Sequence, residues 1–154
     1  MQILRDNRGI ASIEFAVVAF FSVFLILGTI ELALEMIVDA TVQVAAQEAS
    51  RVGLTTTAPA TGTRVAQSQA IVNQILSGWT ALGATINVTE RNYGTYSNLA
   101  SSSYTPGNYN DMGGYGDVII YNIQLKMPGI TGIPKMFGVS SLTFERNYIV
   151  QNEK

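Results

Sequence analysis

The sequence predicts an α+β chain. A long N-terminal helix, apolar in its first half, precedes a small domain with a second helix and an antiparallel sheet of about three strands. Three observations carry this. Residues 10–30 form a run whose only charge is Glu14. Apolar residues recur at helical spacing between Arg64 and Leu82. Three later stretches, around 85–91, 118–127 and 142–150, alternate apolar with polar residues as half-buried strands do.

The first element is Ile10 to Ile30. It reaches ~31 Å at ~1.5 Å per residue, close to the ~30 Å hydrocarbon core of a bilayer. A secretory signal has an apolar core of about 7–15 residues and a small-x-small cleavage site. This run is longer, Leu32-Ala33-Leu34-Glu35 is a poor site of that kind, and helix-compatible sequence continues through Glu31 and Glu35. A retained single-pass transmembrane helix is therefore expected over 10–30. Arg5 and Arg8 precede it, so the positive-inside rule puts the N-terminus in the cytoplasm and the C-terminal domain on the far side, the periplasm of a diderm bacterium.

No helix breaker occurs from Glu31 to Val52. Glu31, Glu35 and Asp39 recur every four residues, extended by Gln43, and Leu34, Ile37, Val38, Ala45, Ala49 and Val52 supply an apolar counter-face. Gly53 reads as the residue that closes the helix, with Pro59 forbidding continuation nearby. The helix thus runs on over 31–53 outside the membrane. Residues 54–63, rich in Thr with Pro59 and Gly62, read as a linker.

The domain is expected over 64–154. Its helix, Arg64 to Leu82, carries Val65, Val72, Ile75, Leu76 and Trp79 as a core-facing stripe, with Gly78 weakening the last turn. In Thr85 to Arg91, Ile86 and Val88 share one side. In Val118 to Met127, Ile119, Tyr121, Ile123 and Leu125 face the core. In Leu142 to Val150, Leu142, Phe144, Tyr148 and Val150 do. Pro128-Gly129 and Gly132-Ile133-Pro134 punctuate the last connection, with a short helical turn at Lys135 to Phe137.

Between the first two strands, residues 92–116 form a long loop of Tyr, Gly, Asn and Ser. It holds Tyr93, Tyr96, Tyr104, Tyr109 and Tyr115, five of the seven tyrosines. Loops of this length are functional or mobile. Rigid amphipathic rings among small polar residues suit an adaptable interaction surface; the alternative is a loop that packs its own rings on the sheet.

Composition narrows the function. The chain has no histidine and no cysteine, which removes the commonest general base, thiolate nucleophiles and the usual zinc ligands. No phosphate-cradling glycine motif follows a strand. No enzyme activity, cofactor or small-molecule substrate is expected. A net charge of −2 and a pI near 5.0 provide no basic field for nucleic acid. Residues 108–113, Asn-Tyr-Asn-Asp-Met-Gly, have a faint calcium-loop look, but one carboxylate and no closing acid, so no metal is expected. Asn87-Val88-Thr89 matches a glycosylation acceptor inside an expected strand.

Gly9 followed five residues later by Glu14 at a membrane boundary is the pattern of a type IV prepilin. Glycine before a scissile bond allows close backbone approach without a clashing Cβ. A cut after Gly9 frees the amine of Ile10. A carboxylate one turn deeper is costly in lipid, and pairing it with an ammonium recovers much of that cost. The alternative is that Glu14 merely reaches to the interface of an ordinary anchor.

Arg8-Gly9-Ile-Ala-Ser-Ile-Glu14-Phe15-Ala16, then Gly28-Thr-Ile-Glu31, then Ala45-Ala-Gln-Glu48-Ala49-Ser-Arg51 resembles the TadE-like family of tight-adherence (Flp) pilus assembly proteins. Leu142-Thr-Phe144 and the closing Asn152-Glu153 are similar to that family's last strand. The resemblance implies a minor pseudopilin of the bacterial inner membrane. A prepilin peptidase would remove residues 1–9 as a leader by cutting between Gly9 and Ile10, with Glu14 and Phe15 serving assembly. Partners would be the lipid bilayer, other pilin and pseudopilin subunits and the pilus assembly platform. Two other readings stay open: an uncleaved single-pass anchor displaying a binding or adhesion module through the tyrosine loop, and a pseudopilin of type II secretion.

Overall fold

A computed structural model describes residues 8–153. Residues 1–7, with Arg5 and most of the expected leader, lie outside the described residues, as does Lys154. Helix α1 (Arg8–Leu54) is a single element of 47 residues, ~70 Å long at ~1.5 Å per residue. Among the described residues it is the helix long and apolar enough to cross a membrane, with a mean hydropathy of 2.5 over its best window and none of that window buried. Its first half is apolar all round, as a lipid-facing helix must be. The hydroxyls of Ser22 and Thr29 donate back to the carbonyls of Val18 and Ile26, each at 2.8 Å. Such closure hides a hydroxyl within its own helix.

The second half of α1 packs against α2 (Arg64–Thr80) and against a sheet of β1 (Thr85–Asn92), β2 (Val118–Met127) and β3 (Leu142–Gln151). Val38, Val42, Ala45, Ala46 and Ala49 form its buried stripe, the i, i+4, i+7, i+8 pattern of one helix face. The alanines let α2 and the sheet approach closely. On α2, Val72 and Leu76 are fully buried, with Ile75 and Trp79 flanking. Each such aliphatic burial contributes ~1.5–3 kcal/mol. The Thr63 side chain caps α2, accepting from the Ala66 amide at 3.1 Å.

The sheet is antiparallel with β2 central. Its register places Val88 opposite Ile123 and Ile86 opposite Leu125 on the helix-covered face. Leu125 then meets Phe144, and Ile119 meets Val150. The alternation read from the sequence is therefore the sheet's inside–outside pattern, and the α+β class stands as expected.

Five details differ from the sequence reading. Tyr148, expected to face the core, is exposed on edge strand β3 although it lies opposite buried Tyr121 in the register. The acidic row does not oppose the buried stripe. Glu31 is buried, and Asp39 pairs with Arg146 of β3, whereas Ile37 and Val44 face outward. Residues 31, 35, 38, 39 and 42 share one face at helical spacing, so the acids flank the core instead of avoiding it. Gly53 does not terminate α1, which continues to Leu54. A Cβ at Gly53 would lie 1.4 Å from the Tyr121 hydroxyl, so close packing of that ring requires the glycine. The short turn of the last connection is α4 (Ile133–Met136). The tyrosine-rich loop contains a further short helix, α3 (Tyr96–Ala100), started by Thr95 capping the Asn98 amide at 3.3 Å.

The residues after β3 tie back to the end of α1. The Glu153 amide donates to the Leu54 carbonyl at 2.5 Å, and its carbonyl accepts from Thr56 at 3.2 Å. The start of the expected linker is thereby pinned to the segment that follows β3.

Candidate functional site

The residues expected at the processing site lie in the first turns of α1. Gly9 is exposed, and a Cβ there would have no atom within 4 Å. Ile10, Glu14 and Phe15 are exposed as well. Ile10 and Glu14 are four residues apart and so share a helix face, ~6 Å apart along the axis. No hydrogen bond or ion pair reaches the Glu14 carboxylate among the described residues, in contrast to Ser22 and Thr29 deeper in the same run. Any cut after Gly9 has to unwind this turn, which glycine makes easier by ~1 kcal/mol relative to alanine.

The five loop tyrosines do not form one cluster. Tyr93 and Tyr104 meet with ring centroids 6.0 Å apart. Tyr109 lies under the Arg91 guanidinium, 3.9 Å from its centroid, a cation–π contact. Tyr96 and Tyr115 are exposed, Tyr115 at the far end of the loop beside Gln151 and Asn152. The chain around Tyr109 runs along the free edge of β1, with Tyr109 bridged to Arg91 and the Asn110 amide donating to the Glu90 carbonyl at 2.7 Å. Part of the loop thus packs its rings, and part leaves them free.

The loop's return is firmly tied. Met112 is buried. Arg64 donates to the carbonyls of Thr55 at 3.1 Å and Met112 at 3.0 Å, and to that of Gly113. The Asn152 amide donates to Met112 at 2.6 Å and Gly114 at 3.0 Å. Asn92 holds Asp117 at 3.0 Å. The loop rims the uncovered sheet face, where a hollow of about 550 Å³ is lined by Asn87, Thr89, Arg91, Tyr109, Asn122 and Asn147, among others. Asn122 donates to Glu145 at 2.5 Å and to Asn147 at 2.8 Å. Amide side chains of Asn87, Asn122 and Asn147 alternate there with the apolar side chains of Ile120 and Ile149.

Sequence reasoning missed three polar devices. The first is the buried Glu31 carboxylate, which accepts from the amides of Ile130 at 2.9 Å and Thr131 at 2.6 Å. The second is Arg64. The third is Glu90, fully buried on β1 directly across from Tyr121. Burial pushes the Glu90 carboxyl above its ordinary pKa, opposed by the Gln69 amide that donates to it at 3.3 Å. Burial and the neighbouring Glu90 charge push the Tyr121 hydroxyl up. The available signal was for Glu90 alone, a charge inside the alternating 85–91 strand; Glu31 and Arg64 sit at the ends of their patterns and carry none.

No curated protein and no solved structure matches the chain. Residues 9–51, which carry the apolar run, Glu14 and the first buried turns of α1, match the model of the TadE family, described as TadE-like protein, the same family that the sequence resembles.

Proposed function

We propose that this chain is a minor pseudopilin that serves assembly of a tight-adherence (Flp-like) pilus. It sits in the bacterial inner membrane as a single-pass protein, N-terminus inside and the α+β domain in the periplasm. A prepilin peptidase cuts between Gly9 and Ile10. The freed ammonium of Ile10 on one subunit then pairs with Glu14 of its neighbour, while Phe15 and the surrounding apolar face pack against other pilin helices.

The observation that carries this reading is the Glu14 carboxylate, exposed on an apolar helix of bilayer length and without a partner among the described residues. A charged group in lipid costs a few kcal/mol by insertion scales, and a pairing amine from another subunit removes most of that. The TadE-like match over residues 9–51 supports the same reading. The role is structural, acting by helix packing and subunit contact, without cofactor, nucleic acid or small-molecule substrate.

Glu14→Ala is expected to be processed normally and to abolish pilus assembly, read by intact mass of the membrane-extracted protein and by electron microscopy of the cells. Normal piliation in that variant overturns the pairing role. A native chain that still begins at Met1 in piliated cells overturns processing. It would favour the second reading, an uncleaved anchor presenting the exposed Tyr96, Tyr109 and Tyr115 around the open sheet face.

A further inference from the structure

The connection between β2 and β3 carries an exposed apolar cluster at the lower edge of the domain. Met136 and Phe137 are 72% and 70% exposed, and Ile130 and Val139 are exposed beside them. Between Met127 and Phe144 the only charged residue is Lys135. This cluster does not hang in open solvent beyond the helix. Phe137 meets Phe24 of α1 with ring centroids 6.1 Å apart. A groove of about 390 Å³ runs between the two elements, lined by Phe24, Leu25, Gly28, Leu32, Ile133 and Pro134, among others.

The position of Phe24 decides what this contact means. It lies seven residues before Glu31, the first charge after the apolar run, which is ~10 Å along the helix axis. If the membrane ended above Phe24 to leave Phe137 in water, only residues 10–23 would remain to cross. These reach ~21 Å, well short of the ~30 Å hydrocarbon core, and any tilt shortens that reach further. A helix that spans the bilayer therefore carries Phe137 into it. The outward face of α1 agrees, since Leu32, Met36 and Ile37 continue it as exposed apolar residues while Glu31 and Asp39 turn toward the domain.

The loop's backbone is also fitted to lipid, where polar groups must be satisfied internally. Glu31 takes the amides of Ile130 and Thr131. Ile133 donates to the Thr131 hydroxyl at 3.3 Å. The amides of Met136 through Val139 donate to the carbonyls of Gly132, Pro134 and Lys135 at 2.9–3.3 Å, and Pro134 has none to satisfy. Gly129 makes the clamp possible, because a Cβ there would lie 2.6 Å from the Pro134 ring and 3.0 Å from the Glu31 carboxylate.

We infer that the Ile130–Val139 segment is a second membrane contact, inserting Met136 and Phe137 among the acyl chains of the leaflet on the domain side, with Lys135 reaching back to the headgroup phosphates. The domain is thereby held at a fixed height and orientation against its own span, with Glu31 as the clamp. This rests on α1 crossing a bilayer and is independent of the pilus reading.

The absence of cysteine allows a clean test on the full chain in vesicles of phosphatidylethanolamine and phosphatidylglycerol. Met136→Cys carries an environment-sensitive fluorophore; Leu25→Cys reports on the span and Tyr115→Cys on the water-facing domain. Doxyl-labelled lipid is the quencher. The inference expects blue-shifted emission and loss of fluorescence at positions 25 and 136, and neither at 115. Quenching at 25 without quenching at 136 overturns it and leaves the span standing. No quenching at either overturns both. A probe at 136 shielded from lipid, together with a disulfide between copies of unlabelled Met136→Cys, overturns it in favour of a subunit contact. Should Met136→Cys lose the native circular dichroism spectrum, Val139→Cys carries the same probe with the same outcomes.

Discussion

The two halves of α1 are one continuous helix in two solvents. From Ile10 to Ile30 the helix is apolar on every side but for Glu14, and the hydroxyls of Ser22 and Thr29 close on its own carbonyls. From Glu31 to Leu54 a single stripe is buried against the domain, and two acids of this half reach other elements: Glu31 the β2–β3 connection, Asp39 strand β3. Hydrophobicity alone does not distinguish a membrane half from a domain half. Where the polar groups find partners does. By that criterion Glu14 belongs to neither half, since it sits among self-sufficient residues without being one of them.

The same substitution in each half breaks the comparison most sharply. Val42→Asp buries a carboxylate at a position with no exposure, within the apolar cluster of Ala45, Ala46, Val72 and Leu76. An unpaired buried charge costs on the order of 3–5 kcal/mol, enough to unfold a marginally stable domain. Circular dichroism in detergent and protease sensitivity are expected to show domain loss, with the span still membrane-integrated. Val18→Asp, in the exposed apolar run, is expected to do the reverse. It leaves the domain protease-resistant and weakens membrane insertion by ~2.5–3.5 kcal/mol, read as release by alkaline extraction. Domain unfolding by Val18→Asp would mean that the halves are not separable.

Next in size is Gly53. A single added methyl has to displace the Tyr121 ring, since it would stand 1.4 Å from the hydroxyl. Gly53→Ala is expected to cost ~1–3 kcal/mol by overpacking, measured by thermal denaturation. Tyr121→Phe removes the clashing oxygen, which is buried and has no hydrogen-bond partner. It is expected to be close to neutral alone and to rescue only part of the Gly53→Ala loss, because the ring Cζ would still stand 2.6 Å from the new methyl. Additive losses in the double variant would place the strain elsewhere.

Glu90 gives the pH signature of the domain half. Its folded pKa is raised above 4.5, so the folded state holds the proton more tightly than the unfolded chain does. Its contribution to stability is fully present below about pH 4.5 and is lost as pH rises through the folded pKa. The melting temperature of the parent should therefore carry a component that falls over that window. Glu90→Gln should remove this component and gain on the parent as pH rises. An unchanged slope in the variant would assign the pH dependence to other carboxylates.

Much of this was legible in the sequence because one-dimensional periodicity encodes it. The strand at 118–127 was read to the residue, since a central strand buries alternate side chains against helices and pairs on both edges. The helix at Arg64 was legible through its apolar stripe, whereas the Thr63 cap that starts it was read as linker. The misread features all depend on what arrives from far away in the chain. Gly53 looked like a helix stop because glycine commonly is one, and only the Tyr121 ring, 68 positions later, explains it. The acids of 31–39 looked like a solvated face because their partners, the amides of 130–131 and Arg146, carry no sequence mark that links them. At the candidate site, local spacing singled out Gly9, Ile10, Glu14 and Phe15, and the structure places them exposed in the first turns of α1. How the tyrosines separate was not legible, because Arg64 at the start of α2 and Asn152 just after β3 fix the loop through its own carbonyls at Met112, Gly113 and Gly114.

The smallest effects belong to the charges that α1 presents at its domain end. Glu48 and Arg51 pair at 3.5 Å with side chains 48% and 72% exposed. An exposed pair at this spacing adds ~0.2–0.5 kcal/mol, so Arg51→Ala should move the melting temperature barely beyond error, and salt should erase the difference. Asp39 and Arg146 are both more than a third exposed, yet they join a helix to a strand 107 residues away. Solvent screening still limits Asp39→Asn to ~1 kcal/mol or less. The expected order is therefore Asp39→Asn above Arg51→Ala, both far below Val42→Asp. A loss at Arg51 that matched the one at Asp39, and that persisted in salt, would show that Arg51 anchors something beyond Glu48. The division of α1 into a lipid half and a domain half would then need a third surface at its far end.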